Sequence, residues 1–347
     1  MAHFNEPLNL TKIKGDKRMA INLLDIKPHK VSRDLSGYLS LIYGPAKVGK
    51  TTFGSKMPGH LILAFERGYD ALPGVMIQDI TSWGVFKQVV RELKKPEVKE
   101  VYKSLIIDTV DYAADFCQKY TCSQLGIDNI GDGGWTNNGW AKYKKEFEGT
   151  FRELAQLGYA IVFISHDKEK TIKLQNQAEY QQIGSSLQSS ALSIVENMCD
   201  IIGYAHPKMD PDGSSKIVLT LRSSDNSIRC GCRFKYIDSE IDFSYESLER
   251  ALNRAIDREA AETSNAFVTD ERIKAVETPT YDYDALIEEF NNLAQTLMLQ
   301  NQSNQNKIVA IVDKYLGKNK KVSDTTPAQA ELVSLIVDEM KFDLLKK

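Results

Sequence analysis

"IYGPAKVGKTTF", residues 42–53, decides how this chain is read. Gly44 and Gly49 bracket a short loop, and Lys50, Thr51 and Thr52 follow it directly. Ahead of the loop, "YLSLIY" (38–43) is an apolar run of strand length. Behind it, the residues from Lys50 read as a short helix that Pro58 and Gly59 break. Gly44-Pro45-Ala46-Lys47-Val48-Gly49-Lys50-Thr51 satisfies G-x-x-x-x-G-K-[ST], and a strand before with a helix after is the context that gives this pattern its meaning. The glycines let successive backbone amides fold around an anion. The helix that starts at Lys50 aims its positive end at the same place. Lys50 can reach β- and γ-phosphates, and the Thr51 hydroxyl is placed to ligate Mg²⁺. The loop from Gly44 through Thr52 is therefore expected to hold ATP with Mg²⁺.

Working outward, apolar runs of strand length alternate with helical patterns. "LILAF" (61–65), "VMIQDI" (75–80), "SLIID" (104–108) and "AIVFIS" (160–165) read as strands. "TSWGVFKQVVRELKK" (81–95), capped by Thr81 or Ser82, reads as a helix, as do "YAADFCQKYTCSQLG" and "WAKYKKEFEGTFRELAQLG" (140–158). "MCDIIGYAH" and "SKIVLTLRSS" add strand-like stretches before the helix "SYESLERALNRAIDREAAE". This alternation predicts an α/β fold around a mostly parallel sheet. The expected organisation is an N-terminal arm (1–36), a nucleotide-binding core (37–262), a polar linker (263–282) and a module of three amphipathic helices (283–347), the last opened by Thr326-Pro327.

Composition bounds the possibilities. The 347-residue chain has room for one large core and a smaller appendage. Its polar N-terminus predicts no cleavable leader, and no run approaches the ~18 apolar residues of a membrane span. Five scattered cysteines, with only Cys230 and Cys232 close together, point to reduced thiols in a cytosol rather than a metal site. Net charge is −3, so any nucleic-acid contact must be a local groove rather than a basic coat.

A nucleotide loop needs a second carboxylate for its metal. Asp108, at the carboxyl end of "SLIID", supplies it, because ligands of such sheets gather where the strands end; Asp111 is a second candidate. Glu66, ending "LILAF", can align the attacking water. His166, ending "AIVFISH", can touch the γ-phosphate and report its loss to the next loop. Each of the three also has an ordinary reading, as a cap, a surface glutamate or a satisfied loop histidine.

These residues together resemble the RecA-like recombinase core, and most closely the phage-encoded RecA-like ATPases of the single-strand annealing and recombination type. The segments that carry the resemblance are "KTTFGSKMPGHLILAFE", "IIDT", the tryptophan-bearing loop before "WAKYKKEFEGTFREL", and "VFISHDKEK", within residues 36–262. The resemblance implies that the loops after Asp108 and His166 face a channel or filament axis and touch single-stranded DNA. The first offers Trp135 and Trp140 with Lys142, Lys144 and Lys145, a mixture suited to base stacking and phosphate attraction. Alternatively Trp140 and Phe147 face the core and the lysines form a solvated helix face. The second offers Lys168, Lys170 and Lys173 on a long polar loop. The resemblance also implies a ring or filament of identical subunits in which a neighbour's basic residue reaches the γ-phosphate. Lys216, Arg222, Arg229 and Arg233 are available, with Arg222 the choice. A single-strand-binding protein or another replication or recombination protein is the expected partner of the C-terminal helices, and a bacterial host cytoplasm the expected location. A replicative helicase or helicase loader, or a nucleotide-switched interaction protein, shares the same core and stands as the alternative.

Overall fold

A computed structural model describes residues 23–132, 138–173, 179–273 and 280–345. The chain divides into a unit spanning residues 27–276 and a second that contains the residues from 277 onward.

In the first unit the chain runs through β1 (Val31–Ser32), β2 (Leu39–Tyr43), α1 (Lys50–Ser55), β3 (His60–Ala64), β4 (Ile77–Asp79), α2 (Trp83–Glu92) and α3 (Pro96–Val101). It continues through β5 (Ser104–Asp108), α4 (Val110–Leu125), α5 (Gly139–Gln156), β6 (Ala160–Ser165), β7 (Asp167–Ile172), β8 (Tyr180–Ser185) and α6 (Ser189–Met198). It ends with β9 (Ile201–Met209), β10 (Ser215–Thr220), β11 (Gly231–Cys232), β12 (Glu240–Asp242), α7 (Tyr245–Glu262) and β13 (Val268–Thr269).

The main sheet has the order β12-β10-β9-β2-β6-β5-β3-β4, with β11 also against β9. Every pair from β9 to β4 is parallel, whereas β10, β11 and β12 are antiparallel additions at one side. The expected α/β fold with a mostly parallel sheet is thus present. Its central strands are covered on both faces, which is why β5 and β6 are buried at every position and read as unbroken apolar runs. On one face Leu41, Leu63, Leu105, Ile107 and Phe163 pack with α2, α4, α5 and α6. On the other Ile42, Ile62, Ile106 and Val162 pack with α1 and α7. Trp83 anchors the first layer: it stacks on Phe147, meets Phe86 edge-on, and donates its indole N–H to Glu146 at 2.9 Å.

Two short stretches flanking the parallel strands join this unit through long-range contacts. Val31 and Ser32 pair in parallel with Val268 and Thr269. Arg272 then donates to the carbonyls of Ser36, Lys103 and Gly158 at 2.6–2.9 Å, tying the amino ends of the strands together.

The long polar loop expected after His166 is instead an antiparallel hairpin, β7 with β8, followed by α6. The hairpin has little apolar alternation to announce it. It is held by cross-strand backbone pairing from Asp167↔Ser185 to Ile172↔Tyr180. In the second unit α8 (Tyr283–Gln300), α9 (Asn304–Leu316) and α10 (Ala330–Leu344) surround Leu286, Leu297, Ile311, Val333 and Ile336. Among the described residues no helix is long and apolar enough to cross a membrane.

Candidate active site

Parallel strands bring their carboxyl ends to one edge, and the register there is tight. Ala64 lies opposite Asp108, Asp108 opposite Ile164, and Tyr43 opposite Ser165. The residues that end or follow these strands are therefore neighbours: the loop after Tyr43, Glu66 after Ala64, Asp108 itself, and His166 after Ser165.

The loop follows its sequence closely. A Cβ on Gly44 would stand 2.1 Å from the Ala205 carbonyl oxygen, so β9 approaches the loop too closely for any side chain there. Gly49 has φ of 102° and sits as the residue before α1, a left-handed conformation that glycine adopts without strain. Lys50 is buried and folds back into the loop, donating to the carbonyls of Gly44 (2.7 Å) and Pro45 (2.8 Å). An ammonium has three donors, so one remains for a phosphate. Burial pulls the Lys50 pKa down, opposed by the surrounding charges of Asp108, Asp167, Glu66 and Asp111.

Thr51 Oγ1 donates to Asp108 Oδ2 at 2.7 Å. Burial raises the pKa of Asp108, and the Thr51 hydrogen bond and the Lys50 charge oppose the rise. Glu66 is bound to the same strand end through its backbone: the amides of Phe65 and Glu66 donate to the Asp108 carbonyl at 2.7 and 3.2 Å. Its carboxyl is pushed up first by burial and then by the Asp108 charge. His166 Nε2 lies 3.8 Å from Glu66 Oε1, close enough for charge coupling and too far for a hydrogen bond. The Asp108–Thr109 peptide is cis.

The donor set suits Mg²⁺. Thr51 and Asp108 offer hard oxygens side by side, the ligand type that ion prefers, and it usually takes only one or two from protein while phosphates and water supply the rest. Among the described residues no cluster of three or more His, Cys, Asp or Glu could hold a metal without such help. Two further oxygens near Asp108, Thr109 Oγ1 and Asp111 Oδ2, are buried without a hydrogen-bond partner. Buried polar atoms are seldom left so, and a hydrated ion with its nucleotide would satisfy them.

Five of the sequence-derived site residues thus converge: Lys50, Thr51, Asp108, Glu66 and His166. Arg222 is engaged elsewhere, donating Nη2 to the carbonyls of Phe234 (2.7 Å) and Lys235 (3.2 Å). Lys216, Arg229 and Arg233 pair with Asp210, Glu196 and Asp200. Trp135 lies outside the described residues. Trp140 is 41% exposed and meets Tyr143 edge-on, while Tyr143 and Phe147 are fully buried in the core. Lys142, Lys144 and Lys145 are exposed on α5. Lys168 and Lys170 lie on β7, and Lys173 pairs with Glu179 at 2.6 Å.

These residues are joined by a second ring of polar groups, of which sequence reasoning names only Asp111. Asp167 accepts from the Tyr204 hydroxyl at 3.2 Å and is among the charges acting on Lys50. Asp111 Oδ1 accepts from Ser186 Oγ at 2.6 Å. The Ser165 and Ser185 hydroxyls share a buried 2.7 Å hydrogen bond, and the Ser186 amide donates to the His166 carbonyl at 2.8 Å. The available signal was the polar run "SHD" directly after an apolar strand.

Residues 36–229 match the family model described as an AAA domain, and the chain belongs to that family, with the phosphate loop of a P-loop ATPase. Over 336 residues it is 29% identical to the SPbeta prophage-derived uncharacterized protein YorG of Bacillus subtilis (strain 168), covering 94% of this chain and 99% of that protein. A solved structure with a weaker likeness is the flagellar accessory protein FlaH from Methanocaldococcus jannaschii, 10% identical, with a TM-score of 0.31 over 62% of this chain and 86% of that one.

Proposed function

We propose that this protein is a RecA-like, Mg²⁺-dependent ATPase that binds single-stranded DNA and promotes annealing or strand exchange. The observation that carries the reading is the root of the β7–β8 hairpin. It leaves the sheet at His166, beside Glu66, and returns at Ser186, which is bonded to both the His166 carbonyl and Asp111. A change at the γ-phosphate felt by His166 or Asp111 therefore acts on both ends of a lysine-bearing hairpin at once.

In this reading the chain's own residues do electrostatic and positioning work. Lys50 gives its remaining donor to the phosphates. Thr51 and Asp108 hold Mg²⁺, which neutralises charge on the β- and γ-oxygens when bound. Glu66 accepts a hydrogen bond from the attacking water and aligns it; the raised carboxyl pKa favours proton acceptance. Subunits assemble in a ring or filament, and Arg222 is the candidate that a neighbour contributes. Its carbonyl partners engage only Nη2, leaving Nε and Nη1 for a phosphate oxygen. The second unit recruits a single-strand-binding or other replication or recombination protein. The relative's prophage origin supports a phage-encoded protein that works in the host cytoplasm.

The test is ATP turnover with and without single-stranded DNA, at low and moderate salt. Turnover and DNA binding should both rise as salt falls. Absence of DNA binding under every nucleotide condition refutes the reading, and directional duplex unwinding replaces it with the helicase alternative.

A further inference from the structure

A groove of about 550 Å³ runs between α2 and α5 on the outer side of the helical layer. Its charge runs against that of the chain, which is net −3. Five cations line it, Lys87 and Arg91 from α2, Lys94 just after it, and Lys142 and Lys145 from α5, against the carboxylates Glu146 and Glu153. Both carboxylates are already engaged, Glu146 with Lys87 at 2.7 Å and Glu153 with Lys94 at 2.5 Å. Arg91, Lys142 and Lys145 have no ion-pair partner among the described residues. Three exposed cations without ion-pair partners give the groove a local positive potential that attracts an anion.

A second feature of the groove is independent of charge. Gly149 lies in its wall in the middle of α5. A mid-helix glycine costs about 1 kcal/mol relative to alanine, so packing usually explains one. Here a Cβ would meet no atom within 4 Å, and packing explains nothing. Bare backbone facing open space admits close approach by something outside the fold. Lys142, Lys145 and Gly149 fall within about 60° of one another around the helix, at ~100° per residue. The cations and the open backbone therefore present one face.

We infer that this groove is a binding track for the sugar-phosphate backbone of single-stranded DNA, with Arg91, Lys142 and Lys145 on successive phosphates and the strand pressed against Gly149. The inference rests on the single-stranded-DNA reading above and adds a site that the hairpin does not include. It also divides the lysine cluster of α5, because Lys144 and Trp140 point about 100–140° away from Lys145 around the helix.

The probe is a fluorescent oligothymidylate, titrated by anisotropy into the full chain with ATP and Mg²⁺ across a range of salt. For single strands the logarithmic salt slope is about −0.7 per neutralised phosphate. Replacing three contacts in R91E/K142E/K145E should therefore flatten the slope by about 2 and lower affinity roughly 100-fold at 0.1 M salt. Gly149→Glu fills the groove without touching the fold and should lower affinity at least tenfold with no fall in melting temperature. Binding by the wild type with neither variant altering affinity or slope overturns the groove and leaves the hairpin as the DNA site. Equal competition by a duplex of the same length overturns the single-strand assignment. No binding by the wild type instead refutes the DNA reading on which the groove depends.

Discussion

Gly44 is required by β9 as well as by the phosphate, and this can be measured. In Gly44→Ala the new Cβ would stand 2.1 Å from the Ala205 carbonyl oxygen. Cβ atoms are essentially never nearer than 3.0 Å to such an atom, so the loop and β9 must separate by about 1 Å. The obstacle is backbone in a parallel pair, β2 with β9, and no side chain can rotate out of the way. Overpacking of this kind costs about 1–3 kcal/mol. In a unit of this size that corresponds to a fall in Tm of roughly 2–6 °C. Gly49→Ala provides the contrast. Its nearest neighbour is the Phe243 ring at 4.0 Å, so only the left-handed backbone is strained, at about 1–2 kcal/mol. Thermal melting without nucleotide should place Gly44→Ala at or below Gly49→Ala, and nucleotide affinity by calorimetry should fall for both. Wild-type melting for Gly44→Ala would refute the claim that close strand approach selects glycine there.

Two further outcomes follow from the same geometry. Glu66→Gln keeps the side chain's size but not its basicity, so turnover should fall about 10²–10⁴-fold while ATP affinity changes only a few-fold; single-turnover kinetics beside equilibrium binding separate the two, and equal losses in both would make Glu66 a binding residue. Arg272→Ala strips donors from three carbonyls at the amino ends of the strands and should cost roughly 3–5 kcal/mol; urea unfolding showing less than ~1 kcal/mol would mean that water replaces the guanidinium.

The residues legible in the sequence were those whose roles depend on local order. The phosphate loop is contiguous, and its glycine spacing, lysine and threonine carry their meaning without reference to the rest of the chain. Asp108 and Glu66 were legible for a related reason: each ends an apolar run, and polar residues at the ends of parallel strands gather at one edge. The hairpin after His166 was not legible, because "DKEKTI" and "YQQIGS" pair through backbone hydrogen bonds that leave no hydrophobic alternation. The aromatic and basic cluster of "WAKYKK" was legible as a cluster only. Which of its members face the core, with Tyr143 inside and the lysines outside, depended on where the sheet lies.

Covalent order alone thus determined the nucleotide chemistry and the fold class, since both rest on patterns shorter than one strand-turn-helix unit. Tertiary structure decided the relations between distant segments. Insertion of β6 between β2 and β5 sets His166 within reach of Glu66, and pairing of Ser186 with Asp111 closes the hairpin onto the phosphate site. Packing of α5 against α2 turns five scattered cations into one groove. These contacts join residues tens of positions apart, and their register is set by which apolar faces are buried together.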